Sequence, residues 1–275
     1  MVRARKIASR LSNAVIHTPM IIRHGVYSAL NIWPHAKRLS PPWQDIPIYC
    51  ISMKASIHRR AIVSQQIETL GVRSFTFIDA PDLTAASLAD LEAQGLYDND
   101  EAIRYHSGPL RPAQISCSLA HGMAYDQMLA DGHPSAMIIE DDALFMSKNF
   151  ESVDLGDLPS DFDIVFLNSF RYTKQPTDRI SGCIFGTESY KGSTAAYVLS
   201  DVGARKLAAA YKPVIHAADG LVGRCMEWPE DLEHPFKRKG ARTTLRSYLV
   251  SPDLVLNGSD CYYYNSIHRV RSLSA

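Results

Sequence analysis

Three consecutive acids, Glu140, Asp141 and Asp142, stand directly behind the apolar run of "MIIEDDALF". Like charges repel at this spacing, so the triplet asks for a cation or a set of hydrogen-bond donors nearby. If the chain stays extended through it, side chains alternate, and Glu140 and Asp142 share one side while Asp141 takes the other. An E-x-D pair on one side can hold a divalent ion jointly. Carboxylates without a histidine partner suit Mg²⁺ or Mn²⁺, ions that keep some waters and complete their shell from a phosphate-bearing substrate. The same acids would also serve as a solvated turn or as the start of the next helix, where negative charge is favoured.

Other residues able to do chemistry are more scattered. Cys117 and His121 stand four apart and would share a helix face, but two ligands do not make a structural zinc site. The five cysteines (Cys50, Cys117, Cys183, Cys225, Cys261) are an odd, widely spaced set without a CxxC, which reads as reduced thiols and not as a disulfide framework. Arg59 and Arg60 carry guanidinium forks that suit phosphate, or a surface acid.

The elements that must position these groups follow from periodicity. "IPIYCISM" (46–53) is an apolar run of strand length. Ser56 opens a helix with Val63, Ile67 and Leu70 on its inner face and Gly71 at its stop position. "SFTFIDA" (74–80) is a second strand, so the chain opens as a βαβ unit, the beginning of a parallel sheet covered by helices. A polar stretch from Asp98 to Pro112 leads into a helix carrying Ile115, Leu119 and Met123, ended by Gly132 and Pro134. "AMIIED" is the strand that ends on the acids, and "DIVFLN" (163–168) and "STAAYVLS" (193–200) are further strands. Ser200 caps a helix stopped by Pro213, and "YLVSPDLVLNG" (248–258) closes the core. In open α/β sheets ligands collect beyond the carboxyl ends of the strands, where the acids, Asp79 and Asn168 all fall.

Bulk properties narrow the function classes. The formal net charge is zero, but the segment from Met1 to Ser40 has seven basic residues and no acid, leaving 22 basic against 29 acidic residues after it. An acidic body does not suit nucleic-acid binding, which needs a basic footprint. No apolar stretch reaches the roughly 18–20 residues of a spanning helix. His17, Arg23 and His24 interrupt the apolar content that a secretory signal needs, whereas an Arg-rich, acid-free start fits an organellar transit peptide. Residues 1–45 therefore read as a basic helical extension, jointed at "SPPW", and residues 46–275 as one domain. The basic strip of residues 1–40 suits peripheral contact with an anionic membrane face, and equally suits packing on its own domain or on a twin subunit.

The run "LRPAQISCSLAHGMAYDQMLADGHPSAMIIEDDALF" resembles glycosyltransferase family 25, the lipopolysaccharide-type galactosyltransferases, in which a Gly-Cys-x-x-Ser-His helix precedes a Leu-Glu-Asp-Asp-Ala strand end. "IYCISMKASIHRRAIVSQQIETLGV" is similar to the family's opening strand and Arg-bearing helix, "FIDA" to its second strand, and "GSTAAYVLSDVGARKL" to its Gly-x-x-x-Tyr-x-x-Ser-x-x-Gly-Ala segment. Ser52-Met53 replaces the usual Asn-Leu, Gln114 the usual Glu, and Ala120 the usual Ser before the helix histidine. The resemblance implies a GT-A-like, Rossmann-type α/β nucleotide-sugar-binding domain. It also implies an inverting transferase moving a hexose, galactose foremost, from a UDP-sugar to lipopolysaccharide or another glycan or lipid-linked glycan acceptor. Its setting would be cytoplasmic, either free or peripheral on the inner face of the membrane.

Within that resemblance Glu140 and Asp142 stand where related enzymes hold Mn²⁺ or Mg²⁺, and Asp141 falls to the ribose or the sugar. Asp219 in "VIHAADGLV" occupies the family's late acidic position and is the first candidate for the base that inversion requires, with Glu227, Asp231 and His216 behind it. Ser52, Arg59, Arg60, Asp79, His121 and Asn168 complete the expected donor site, although a histidine on a partly apolar helix also reads as a hydrogen-bonded core residue. Two rivals stand beside this reading. One is a membrane-docked scaffold that kept the fold after drift at Ser52, Met53 and Gln114. The other is an aspartyl phosphohydrolase, for which "DDALF" lacks the hydroxyl residue that should follow the nucleophile.

Overall fold

A computed structural model describes residues 37–106, 109–168, 178–187, 193–226 and 245–259. Residues 1–36 of the basic arm, Glu227 and Asp231 lie outside the described residues. The chain runs from a short helix α1 (Pro41–Asp45) into β1 (Ile48–Ser52), α2 (Ile57–Leu70) and β2 (Phe75–Asp79), the unit read from the sequence. Helices α3 (Ala85–Ala93) and α4 (Asn99–His106) precede the long α5 (Pro112–Ala130), β3 (Ser135–Glu140), β4 (Ala143–Phe145) and a one-turn α6 (Ser147–Phe150). Then follow β5 (Ile164–Phe166), β6 (Arg179–Ser181), β7 (Ile184–Gly186), β8 (Ala196–Ser200), α7 (Asp201–Ala210), α8 (Ala218–Met226), β9 (Ser247–Val250) and β10 (Val255–Asn257).

Local signals account for several boundaries. Gly71 ends α2 in the left-handed region at φ 73°, with its N–H on the Ile67 and Glu68 carbonyls. The Ser200 hydroxyl accepts from the Gly203 N–H at 3.1 Å and starts α7. Ser56, by contrast, makes no side-chain cap at the start of α2. Helix α3 was legible in principle: Thr84 and Ser87 cap it reciprocally, each side chain meeting the other's backbone N–H.

Among the described residues, eight strands form one sheet in the order β2-β1-β3-β8-β5-β9-β7-β6, and β4 pairs with β10 beside it. β1 lies parallel to both β2 and β3, as the opening unit predicts. Beyond β3 the expectation of a parallel sheet is corrected. β8 runs antiparallel to β3 and β5, β5 is parallel to β9, and β7 is antiparallel to β9. The β6–β7 hairpin inserts one chain reversal between β5 and β8, so β8 enters the sheet in the opposite sense.

Both faces of the sheet are apolar, and the pleat sorts residues between them. Tyr49, Ile51, Ile138, Tyr197 and Leu199 join the core under α5, α7 and α8, while Ile48, Cys50, Met137, Ile139 and Val198 join the core that contains Val63, Ile67 and Leu70 of α2. Leu39 and Trp43 are buried in this second core, which ties α1 to the sheet. Each large side chain so buried contributes roughly 1.5–3 kcal/mol, far more than an exposed ion pair, so the sheet anchors the polar groups at its ends. Helix α5 lies close against α7 because Gly122 leaves room for Tyr211: a Cβ at Gly122 would sit 2.1 Å from that ring. Among the described residues no helix is long and apolar enough to cross a membrane.

Candidate active site at the acid turn

Pleat parity decides where two of the three acids go. Glu140 continues the Ala136 and Ile138 face toward α5, and Asp141 continues the Met137 and Ile139 face toward α2. Glu140 accepts a hydrogen bond from Thr194 Oγ1 at 3.0 Å, and His121 Nε2 of α5 lies 3.6 Å from the same oxygen. Asp141 accepts from Ser52 Oγ at 2.7 Å and from Arg59 Nη1 at 2.9 Å. The strand does not stay extended through the triplet, since Asp141 and Asp142 turn the chain into β4. Asp142 is buried, and its Oδ1 has no hydrogen-bond partner. Burial first, then the neighbouring Glu140 carboxylate, pushes the Asp142 pKa up to about 7, against a hydrogen bond from Ser259 and the Arg59 charge.

The turn is held from three directions. Glu140 N–H donates to the Ala195 carbonyl at 2.9 Å, and Gly258 N–H donates to the Asp142 carbonyl at 2.7 Å. β4 pairs antiparallel with β10 on one side. On its other side the buried Gln66 amide stands in for a strand, donating to the Ala143 carbonyl at 3.1 Å and accepting from the Phe145 N–H at 3.0 Å. Sequence reasoning missed Gln66, Thr194 and Ser259. Thr194 sits in a segment with family likeness, but a serine near the chain's end and a glutamine on an amphipathic helix give no such signal.

The remaining sequence candidates fall into distinct positions. Arg60 bonds the Ser52 and Met53 carbonyls at 2.9 and 3.1 Å, the Ser52 hydroxyl at 3.2 Å and Asp79 at 2.5 Å, and lies over the Phe77 ring. It clamps the ends of β1 and β2 together. The hydrogen bond from Arg60, with Lys54 beside it, holds the exposed Asp79 carboxyl below its ordinary range. His121 is buried, with Nδ1 2.8 Å from the Tyr197 hydroxyl. Asn168 donates to Ser193 Oγ at 3.1 Å, and its buried Oδ1 has no hydrogen-bond partner. His216 is buried beneath the start of α8, whereas Asp219 in the first turn of that helix is exposed.

Two clefts meet at Glu140. One, of about 560 Å³, runs over the ends of β1 and β2 and is lined by Ser52, Arg59, Asp82 and Asp141. The other, of about 390 Å³, is lined by Gln114, Ser193, Thr194, Asp219 and Asn257. Cys117 and Ala113 line both, so the clefts are adjoining lobes divided by one face of α5. Each is within the roughly 300–1,000 Å³ of small-molecule sites. The arrangement puts an acid-rich floor between a lobe bearing a guanidinium and a lobe bearing an exposed carboxylate.

Comparison with known proteins bears on the same segment. A mosquito (Aedes aegypti) protein described as a glycosyltransferase 25 family member is 24% identical over 167 residues, covering 58% of this chain and 27% of its own length. The chain therefore spans about a quarter of that relative. Among solved structures, a glycosyltransferase involved in glycosylation of the major capsid of PBCV-1 matches with a TM-score of 0.39 at 9% identity, covering 81% of this chain and 99% of its own. Mouse xyloside xylosyltransferase 1 matches with a TM-score of 0.29 at 14% identity, covering 80% and 68%. The pattern of glycosyltransferase family 25, described as an LPS biosynthesis protein, matches residues 45–222. That span takes in β1, the α5 motif, the acid turn and Asp219, and is well over half of the sequence: the chain belongs to glycosyltransferase family 25.

Proposed function

We propose that this protein is an inverting, divalent-metal-dependent glycosyltransferase that moves a hexose, galactose foremost, from a UDP-sugar to a lipopolysaccharide or related surface glycan. The observation that carries the reading is Asp142. A buried carboxylate oxygen without a donor, beside Glu140 and on a turn held from three sides, fits a site whose missing partner is a hard dication. Glu140 and Asp142 would hold Mn²⁺ or Mg²⁺. When bound, such an ion neutralises the charge that develops on a departing diphosphate.

The chain's own groups divide the remaining tasks. Arg59, fixed by Asp141 and lining the larger lobe, offers a guanidinium to donor phosphates. Asn168 Oδ1, buried and without a hydrogen-bond partner, would accept from a sugar hydroxyl. Asp219, exposed in the smaller lobe beyond Glu140, takes the proton of the acceptor hydroxyl on the side away from the leaving group. Docking of residues 1–40 on an anionic inner membrane face would bring the lobe to lipid-linked acceptors.

The test is calorimetric binding of UDP with and without Mn²⁺, followed by a screen of nucleotide sugars for metal-dependent transfer or hydrolysis. Mn²⁺-dependent heat that vanishes in Asp142→Asn supports the reading. Absence of any heat in the wild-type protein would replace it with the scaffold alternative.

A further inference from the structure

We propose that Cys117, His121 and Glu140 form a binding site for a thiophilic dication, Zn²⁺ foremost, distinct in its chemistry from the hard-ion pair of Glu140 and Asp142. The thiol, the imidazole and the carboxylate offer ligand atoms that all lie within 4.8 Å of one another. Cys117 and His121 are one turn apart on α5, and β3 delivers the third ligand that this pair lacks in sequence.

The hydrogen bonding of His121 supplies the second observation. Tyr197 donates its hydroxyl proton to Tyr125 at 3.1 Å, so toward His121 Nδ1 at 2.8 Å it can only accept. The network therefore puts a proton on Nδ1 and leaves Nε2 as the ring atom turned toward Glu140. His121 is 1% exposed, and this Nε2 has no hydrogen-bond partner. It faces Glu140 Oε1 at 3.6 Å, beyond ordinary hydrogen-bond length. Two ligands on one tetrahedral zinc stand roughly 3.4 Å apart when Zn–N and Zn–O are each about 2.0–2.2 Å. The separation is thus close to that of two ligands sharing an ion. Metal-binding histidines are commonly oriented by an oxygen acceptor on the other ring N–H, the part that the Tyr197 hydroxyl takes here.

Burial, together with the charges of Glu140, Asp219, Asp142 and Asp141, holds the Cys117 thiol protonated in the ion-free protein. A dication inverts that balance: the sulfur binds as thiolate and its proton leaves to solvent. Cys117 and Glu140 both line the smaller lobe, so the fourth tetrahedral position is open to water or a ligand oxygen. Because Glu140 serves both ions, Zn²⁺ here would also inhibit Mn²⁺-dependent transfer, a consequence that rests on the function proposed above.

Zn²⁺ binding to the metal-free full-length chain is measured against a chromophoric chelator, and Co²⁺ is added in its place for optical spectroscopy. One equivalent of Zn²⁺ and a thiolate-to-cobalt charge-transfer band are expected. Cys117→Ser should abolish the band and weaken Zn²⁺ binding at least tenfold with an unchanged circular dichroism spectrum. Asp142→Asn should keep Zn²⁺ and the band while losing Mn²⁺-dependent UDP binding, so the two metal readings stand or fall separately. A wild-type chain that takes no Zn²⁺, a cobalt complex without the band, or Cys117→Ser binding like wild type overturns the site.

Discussion

Ser52 and Asp141, 89 residues apart in sequence, meet at 2.7 Å where β1 and β3 end side by side, with the serine hydroxyl donating to the carboxylate. Together with Arg59 this contact holds the middle acid on the α2 face of the sheet, and Glu140 alone of the first two acids turns toward α5. The residue that departs from the family's usual asparagine is thus built into the support of the turn.

Removing that hydroxyl should be felt first in stability. Ser52→Ala takes a hydroxyl donor from a buried carboxylate, and hydrogen bonds to charged groups contribute roughly 1.5–3 kcal/mol. The denaturant midpoint should fall by the corresponding amount with the slope unchanged, and UDP affinity should fall with it. A midpoint equal to wild type would show that the turn holds without the Ser52 hydroxyl.

Asp142 should trade stability for binding. Its carboxyl pKa is pushed up to about 7, so the folded chain holds the proton more tightly than the unfolded chain, whose aspartate titrates near about 4. Stability is then highest where Asp142 is protonated and is lost as pH rises from about 4 to about 7. In metal-free buffer at about pH 8, Asp142→Asn should melt roughly 2–8 °C above wild type, and the gap should close toward about pH 4. Mn²⁺ with UDP should raise the melting point of wild type only. Thermal scans across pH, with and without the ion, check both signs.

Gln66 lines neither cleft but fixes the strand that follows the acids. Gln66→Leu keeps the volume and orphans the Ala143 carbonyl and Phe145 N–H, at a cost of roughly 2–4 kcal/mol. Chemical denaturation should report that loss. Mn²⁺-dependent UDP binding measured well below the unfolding midpoint should weaken as well, because the turn loses its support on the α2 side.

Asp219 should affect turnover and spare binding. Asp219→Asn is expected to lower kcat by roughly 10²–10⁴ while leaving UDP affinity and the melting point close to wild type, since the side chain is exposed. A variant with normal kcat would shift the base to another acid.

Much of the scaffold was readable from local pattern. Two apolar runs flanking an amphipathic helix announced β1, α2 and β2, and Gly71 marked the end of α2 because its left-handed φ suits glycine. Strand alternation alone separated Glu140 from Asp141. Less was readable where the chain pairs at long range. The antiparallel entry of β8 depends on a hairpin of short strands, and the turn after Glu140 depends on Gln66 and β10, both distant in sequence.

The amino-acid sequence by itself determined the family, the acid triplet at a strand end and the side of the sheet each of its first two members takes, because period-2 alternation is a property of neighbouring residues. Only the tertiary structure decided that Asp141 is answered by Ser52 and Arg59, that Asp142 keeps an unpaired oxygen, and that His121 and Cys117 meet Glu140. Those outcomes depend on strand order and helix packing, and contacts across many tens of residues are fixed by the closure of the whole sheet and not by any local preference.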